Sequence, residues 1–504
     1  MVSERLRLLP CLLTAMLLFL LPASFAVAVN DEQYNLATDT VLVAVDDIPV
    51  SFSPYAASPL APQYAHLFFD PLVRWGKEQQ LEKRLLEEWE SIKPGVIRFY
   101  LKKNIKFHSG NKLSSRDVTW TFSQILKEPQ AKRFFEGIKS IKQVDHYRFD
   151  VVSSLSEAQL LDYLTHFFVL DAAFYQRNKI DLNKAQGAIT AQDKKLSISG
   201  TGPYKIKKYN SALHLNVVSN KDYWQGEAVL KELNFIKIRS ADSRSFALLT
   251  GDVDISESVS NNMINTVNQV TSKSLVEVSS SNVLFLTIND KRSDILKHKI
   301  VRDAIDLAIN KEGMLKHLIN GMGSVGSVYT PLNQADRELP AYDVAKAKVI
   351  LSKIKVPTEL ALLILVDEIG NTPEVANALM NMLRRVEVKL FITEVTSIEE
   401  WNKRLLDYDL TLSVWHSPLM NSYNIYHDLF VDSVLSRYLS VKFSGEKLDD
   451  SINKQALFFE QMQHDHQVIP LLFQNKIWAT DKKYNLPAIF SVNGIPYWHL
   501  LKTQ

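Results

Sequence analysis

The sequence predicts an α/β protein of more than one domain, on three observations. Between residues 343 and 415 helical and strand patterns alternate, which argues for parallel strands with crossover helices on both faces. Elsewhere, period-two runs follow turn signals, as Ile97, Phe99 and Leu101 do behind Pro94-Gly95. A chain of 504 residues is also too long for one compact core, so two or three domains are expected. An apolar content of 46% and a charged content of 23% are those of an ordinary soluble globular protein. The formal charge of +2 suggests neither nucleic acid nor an acidic membrane as partner.

In chain order, residues 1–28 read as a signal peptide. Arg5 and Arg7 form a positive start, Leu8 to Leu21 an apolar run interrupted by Pro10, and small residues offer cleavage after Ala26 or Ala28. The run is shorter than the roughly 18 to 20 residues of a membrane-spanning helix, and an uncleaved anchor is the alternative. The single cysteine, Cys11, lies within it and does not resemble a lipobox acceptor. Cleavage therefore leaves a chain with no disulfide, no cysteine nucleophile and no thiolate metal site.

Val41 to Val45 reads as a buried strand, followed by a Pro- and Ser-rich loop with Tyr55 and a helix from Gln63 to Val73. After the Ile97–Leu101 strand come a short alternating run, Ile105–Phe107, and the turn Ser109-Gly110-Asn111. Ser114 and Asp117 form a capping box for a helix whose buried face carries Val118, Phe122, Ile125 and Leu126. Val144 to Val152 alternates like a strand, and Leu160 to Phe174 reads as one apolar helical stretch that fills a core. Strands at Tyr204–Lys208, Leu213–Ser219 and Leu233–Ile238 follow, with a turn held by Asp222 and a helix, Ser243–Leu249, closed by Gly251. Ile300, Ala304, Leu307 and Ala308 stripe a further helix, and Asn310 can cap the next. The alternating region then comprises helices at 343–354, 373–385 and 398–406 and strands at 359–366, 388–392 and 410–415.

Several of these segments resemble the family 5 extracellular solute-binding proteins, the oligopeptide, dipeptide and nickel binders of ABC importers. Trp89, Phe99, Leu101, Phe107, His108, Gly110, Asp117 and Val118 stand where that family has its Trp, F-x-L-R, F-H-x-G and A-x-D-V pattern, with Lys102 for Arg and Ser115 for Ala. Phe69-Asp70-Pro71-Leu72-Val73, Gly200-Thr201-Gly202-Pro203-Tyr204, Asn220 to Trp224, Gly251 to Ile255 and Val301 to Asn310 match further family segments. The resemblance covers about residues 41 to 500 and implies a two-lobed, type II periplasmic-binding-protein fold with a subdomain inserted in lobe I. It assigns 29–73, 198–280 and 468–504 to lobe I, 74–197 to the insert and 281–467 to lobe II, with Val468–Phe473 as the strand returning to lobe I.

The resemblance places the ligand between the lobes, where Tyr55, Asn282, Phe285, Trp415, His416, Asn421 and Tyr423 are the candidate ligand-binding residues. Trp and Tyr supply apolar area with a polar tip, as ligand sites need. Peptide binders of the family carry an acidic loop after the equivalent Trp, and one of its carboxylates pairs with the peptide's amino group. Here Asn421 falls at that place and no carboxylate occurs before Asp428. A buried ammonium needs a paired charge, so the amine is bound elsewhere, for example by Asp46 or Asp47, or the solute is not a free-amine peptide.

No G-x-S-x-G or H-E-x-x-H motif occurs. The Gly200–Pro203 loop lacks the Lys and helix of a phosphate cradle. His108 reads as a structural histidine, and His464 and His466 point to different faces of a helix end. The expectation is therefore a periplasmic, monomeric, non-enzymatic binding protein without cofactor that delivers a small solute, a peptide, to an inner-membrane ABC permease. A metal chelate, haem or a sugar is the alternative solute, and a sensor or interaction protein on the same fold the alternative function.

Overall fold

The computed structural model describes residues 40–55, 61–180, 198–280, 282–326, 341–353, 359–366, 371–421, 424–425 and 452–504. The signal-peptide reading and Tyr423 lie outside them. In chain order, β1 (Thr40–Val45) is followed by the Ala61–Phe68 helix and a small ribbon of β2 (Val73–Trp75) and β3 (Leu81–Lys83). Next comes an antiparallel sheet of β4 (Leu86–Lys93), β5 (Val96–Leu101), β6 (Ile138–Gln143) and β7 (Arg148–Ser153), in the order β4-β5-β7-β6. The inward residues of β5 alternate as its sequence requires, and Phe99 stacks on Phe149 of β7 with centroids 5.4 Å apart. The helix Ser115–Ile125 packs beside this sheet. Its capping box is formed: the Asp117 carboxylate accepts the Ser114 N–H at 2.9 Å and the Ser114 hydroxyl at 2.8 Å.

A seven-stranded sheet takes β1 together with β8 (Tyr204–Asn210), β9 (His214–Ser219), β10 (Glu232–Lys237), β11 (Ile255–Ser256), β12 (Lys273–Val278) and, from the far end of the chain, one more strand. The second sheet holds β13 (Val283–Ile288), β14 (Gly323–Val325), β15 (Glu359–Leu365), β16 (Lys389–Val395), β17 (Leu410–Trp415) and β18 (Val468–Gln474), in the order β14-β18-β13-β17-β15-β16. β15, β16 and β17 run parallel, as the alternation predicts, while β13 pairs antiparallel to β17 and β18. Every residue of β13 is buried. Leu284, Leu286 and Ile288 face one apolar cluster, with helices 299–307, 344–353 and 372–384, and Val283 and Phe285 face another, with Trp401, Phe459 and Met462. This is the period-two division of a strand covered on both sides.

The chain passes between these two sheets twice, between β12 and β13 and again through Asn475, after which β19 (Lys476–Asp481) pairs with β11 and β12. The strand expected to return to lobe I, 468–473, is thus an inner strand of the second sheet, and β19 makes the return. An apolar cluster runs from Val43 and Leu233 of the seven-stranded sheet through Phe99 and Phe149 to Phe285 and Phe473, and residues 39–504 form one compact unit.

A second correction concerns residues 160–174. The helix spans Glu157–Leu164, and a separate one begins at Ala172, capped by Asp171. Between them the backbone is held by the 70–72 segment: Phe167 O accepts the Leu72 N–H at 3.1 Å, and Pro71 bridges Phe168. Apolar residues alone do not reveal that their amides pair elsewhere. The turn at 220–223 is likewise held by Asn220, whose Oδ1 accepts the Asp222 N–H at 3.3 Å, rather than by Asp222.

The carboxylate of Asp70 ties Arg84 of the 74–197 segment to the 200–224 segment beside the first sheet. It accepts from Arg84 Nη2 at 2.7 Å, Tyr223 Oη at 3.1 Å, Thr201 Oγ1 at 3.0 Å and Trp224 Nε1 at 2.9 Å. Burial alone would raise its pKa, but Arg84 and these donors hold it below the ordinary carboxylate value. Beside it His108 Nε2 meets Gly202 O at 2.9 Å, and its main-chain N–H donates to Gly200 O at 2.8 Å. The Gly200–Pro203 loop lies flat on the end of the Ala61–Phe68 helix: a Cβ on Gly202 would stand 2.4 Å from Phe68 C and 2.6 Å from Phe69 N. Neither backbone can give way, so Gly202→Ala should cost on the order of 3 kcal/mol, read as a lowered urea midpoint with unchanged slope.

Candidate functional site

In an α/β sheet a ligand crevice forms outside the carboxyl ends of the strands, where the chain leaves neighbouring strands toward opposite faces. β1 is such a strand, flanked by parallel β10 and β11. The Ala61–Phe68 helix that follows β1 packs its Tyr64, Leu67 and Phe68 on one face, and the Ala241–Thr250 helix between β10 and β11 packs Leu248 on the other. The ends of the three strands carry Asp46 and Asp47, Ile238 and Arg239, and Glu257.

Buried Arg244 ties these ends together. It donates to Glu257 O, Ile238 O and Arg239 O, each at 2.7 Å, and faces Asp46 Oδ1 at 3.4 Å. Asp47 is paired with Lys237. Burial opposes its charge, yet Lys237 and the Ile48 N–H together hold its pKa below the ordinary value. The two acids that the sequence offered for a solute amine thus already face cations of the protein. Glu257 differs: it is 5% exposed, accepts from Gln63 Nε2 at 3.2 Å, and among the described residues its cationic partner is Lys476, at 3.9 Å. Lys476 is the first residue of β19, directly after the second crossing.

The second sheet meets this edge through β17. Trp415 closes β17 opposite Val283, and Asn282 stands one residue further on, its carbonyl accepting the Gln474 N–H at 3.1 Å. Asn282 and Trp415 are therefore neighbours at the crossing, with exposed His416 next in the chain. Phe285 lies two residues inside β13 with no exposed surface, packed within the apolar cluster.

Tyr55 and Asn421 are drawn to a common wall, the segment 162–168. Tyr55 donates its hydroxyl to Phe168 O at 2.6 Å and lays its ring edge-on against Phe135, and burial pushes its hydroxyl pKa well up. The Asn421 N–H donates to Asp162 Oδ2 at 3.0 Å. His166 Nε2 meets Pro418 O at 3.1 Å, and Asn493 Nδ2 donates to the same oxygen. Asp162, Arg244 and Glu257 were not picked out from sequence. Glu257 could have been, because it directly follows the short strand after Gly251-Asp252-Val253-Asp254; Asp162 carries no such mark.

Among the described residues no group of three or more His, Asp or Glu side chains is placed to hold a metal ion, and no helix is long and apolar enough to cross a membrane. His466 turns to Asp303 at 2.7 Å, while His464 is exposed beside Asp465.

Comparison with known proteins fits this geometry. The profile of the bacterial extracellular solute-binding proteins, family 5 Middle, matches residues 80–434. The chain belongs to this family. Among family 5 relatives, the nickel-binding protein NikA of Staphylococcus aureus is 22% identical over 68% of either chain. The oligopeptide-binding protein AppA of Bacillus subtilis is 22% identical over 86% of this chain and 84% of its own. The crystal structure of the ABC transporter substrate-binding protein CtaP from Listeria monocytogenes superposes with a TM-score of 0.76 at 17% identity, covering 92% of this chain and 99% of that one. The fold is the two-lobed type II arrangement of the family 5 proteins, with a subdomain inserted in the first lobe.

Burial lowers the His166 pKa from the ordinary 6.5 to about 4, the contact with Pro418 O opposing the shift. The unfolded chain takes up this proton near pH 6.5 and the folded chain only near 4. The histidine's contribution is thus intact above pH 6.5 and is lost as pH falls toward 4. The urea midpoint should drop over this window, and His166→Asn should flatten the dependence by about one proton.

Proposed function

We propose that this chain is the solute-binding component of an ABC importer, exported to the periplasm after removal of residues 1–28, and that its solute is a peptide. In this reading residues 29–73, 198–280 and 475–504 make lobe I, 74–197 its insert and 281–474 lobe II. The two crossings, between β12 and β13 and at Asn475, act as the hinge. Capture is a shift toward the shut form by a solute that touches both lobes, with no chemical step.

The observation that carries the peptide reading is the Glu257–Lys476 pair at the carboxyl edge of the first sheet. A buried carboxylate whose cation stands 3.9 Å away, beyond hydrogen-bond reach, gains from an ammonium that comes closer. Lys476 is then released toward an anionic group, so the pair suits a zwitterion. Trp415 and Asn282, each with a small exposed remainder, stand at the crossing on the side of the second sheet. A relative named as an oligopeptide-binding protein that aligns over most of the chain supports the same reading. Exposed His416 beside Trp415, with a relative named as nickel-binding, favours a metal chelate as the second reading.

Native mass spectrometry of the protein isolated from its own periplasm should show a bound peptide mass. A metal-containing mass would replace the peptide by the chelate, and a sensor role would leave the purified protein indifferent to both. With the carried peptide as probe, calorimetry should find Trp415→Ala weaker by about 2 kcal/mol; unchanged affinity would remove Trp415 from the cleft.

A further inference from the structure

Asp162 lies in the last turn of the Glu157–Leu164 helix, where an acid opposes the helix dipole, and its side chain has no exposed surface. Such a charge persists only when donors surround it. Four do, from two chain segments. Trp75 Nε1 and the Met420 N–H reach Oδ1 at 2.9 and 3.0 Å, and the Asn421 N–H and Asn424 Nδ2 reach Oδ2 at 3.0 and 2.9 Å. A carboxylate has about four lone-pair sites, so Asp162 is saturated and has no place for a solute's amine. Three of the four donors belong to the loop after Trp415, the loop whose own acid the sequence lacks.

The neighbouring contacts have the same direction. Asn424 Nδ2 also donates to Gln159 O at 3.0 Å, and Pro418 O is held by His166 and Asn493. Leu419 and Ile425 are buried within the apolar cluster shared with the inserted region. Each of these groups belongs to the protein, so the free energy of the contact adds to whatever a solute contributes.

We propose that Asp162 is a latch between the lobes: it holds the loop after Trp415, which continues from the second sheet, against the subdomain inserted in the first, and so favours the shut form by protein contacts alone. Its effect on closure rests on the proposed lobe-closing function. The latch makes closure less dependent on the solute's own charge, which suits a binder that accepts solutes of differing end groups.

The test uses the full mature chain without added solute. Hydrogen exchange should show the Met420 and Asn421 amides exchanging about tenfold faster in Asp162→Asn, as loss of charge-assisted acceptance requires, with β5 and β7 unchanged. Small-angle scattering should show a larger radius of gyration. Unchanged exchange at 420–421 overturns the proposal. Faster exchange with an unchanged radius also overturns it, since the loop would then be freed without parting the lobes. Should Asp162→Asn fail to fold, Asn424→Ala removes one donor and leaves the carboxylate. It should give a smaller acceleration confined to the loop, and no acceleration again counts against the latch. A purified protein without peptide or chelate would sink the importer reading while leaving these exchange results standing.

Discussion

The carboxylate of Asp70 is the interaction on which the join between the 74–197 segment and the 200–224 segment depends. Its four donors come from Arg84, Thr201, Tyr223 and Trp224, so the Asp70-Pro71 segment, the Gly200–Pro203 loop and the Asn220–Trp224 turn converge on one buried charge. Arg84 and Asp70 are both nearly inaccessible, and such a pair is kept only if the remaining donors and acceptors are also satisfied. His108 adds the Phe107-His108-Ser109-Gly110 turn by gripping Gly200 and Gly202. Motifs separated by more than a hundred residues in the chain thus form a single polar core, and none of them needs to touch a solute.

A second buried carboxylate does the opposite kind of work. Asp70 joins segments beside the first sheet, whereas Asp162 joins the Glu157–Leu164 helix to the loop that follows β17 of the second sheet. Burial raises the Asp162 pKa, with the loop amides and Asn424 working against it, while the nearby guanidinium keeps Asp70 below the ordinary value. The contrast follows from the partners: at Asp70 a cation together with neutral donors outweighs burial, and at Asp162 neutral donors alone do not. The weaker compensation sits where movement is expected. Glu257, with Lys476 just out of hydrogen-bond reach, is a further buried acid, at the carboxyl edge of the first sheet.

The secondary structure was legible wherever local pattern and tertiary environment agree. β17 runs over 410–415 as its composition predicts, the Ser114–Asp117 box caps its helix, and Gly251 closes the preceding helix with φ of 86°. The exceptions share a cause. Residues 167–170 look helical because they are apolar, but the Val169 and Leu170 amides donate to Asp70 O and Thr121 Oγ1, and Phe167 O accepts from Leu72. Val468–Phe473 resembles the returning strand of the family, yet strands of either sheet, covered on both faces, look alike in sequence. Of the candidate site residues, Asn282 and Trp415 come together at the crossing, Phe285 lies wholly within the core, and the Tyr55 hydroxyl and the Asn421 main-chain N–H are engaged by the 162–168 wall.

From the sequence alone came the α/β class, the order of elements and the family, because each rests on short-range periodicity, turn chemistry and motifs within a few residues of one another. The tertiary structure alone decided which carboxylates are available. Asp46, Asp47, Asp162 and Glu257 are equivalent letters in the chain. They differ only in what stands opposite: Arg244, Lys237, four N–H donors, or a lysine slightly too far away. Charge partnership is a property of distance in space, and sequence separation carries no information about it.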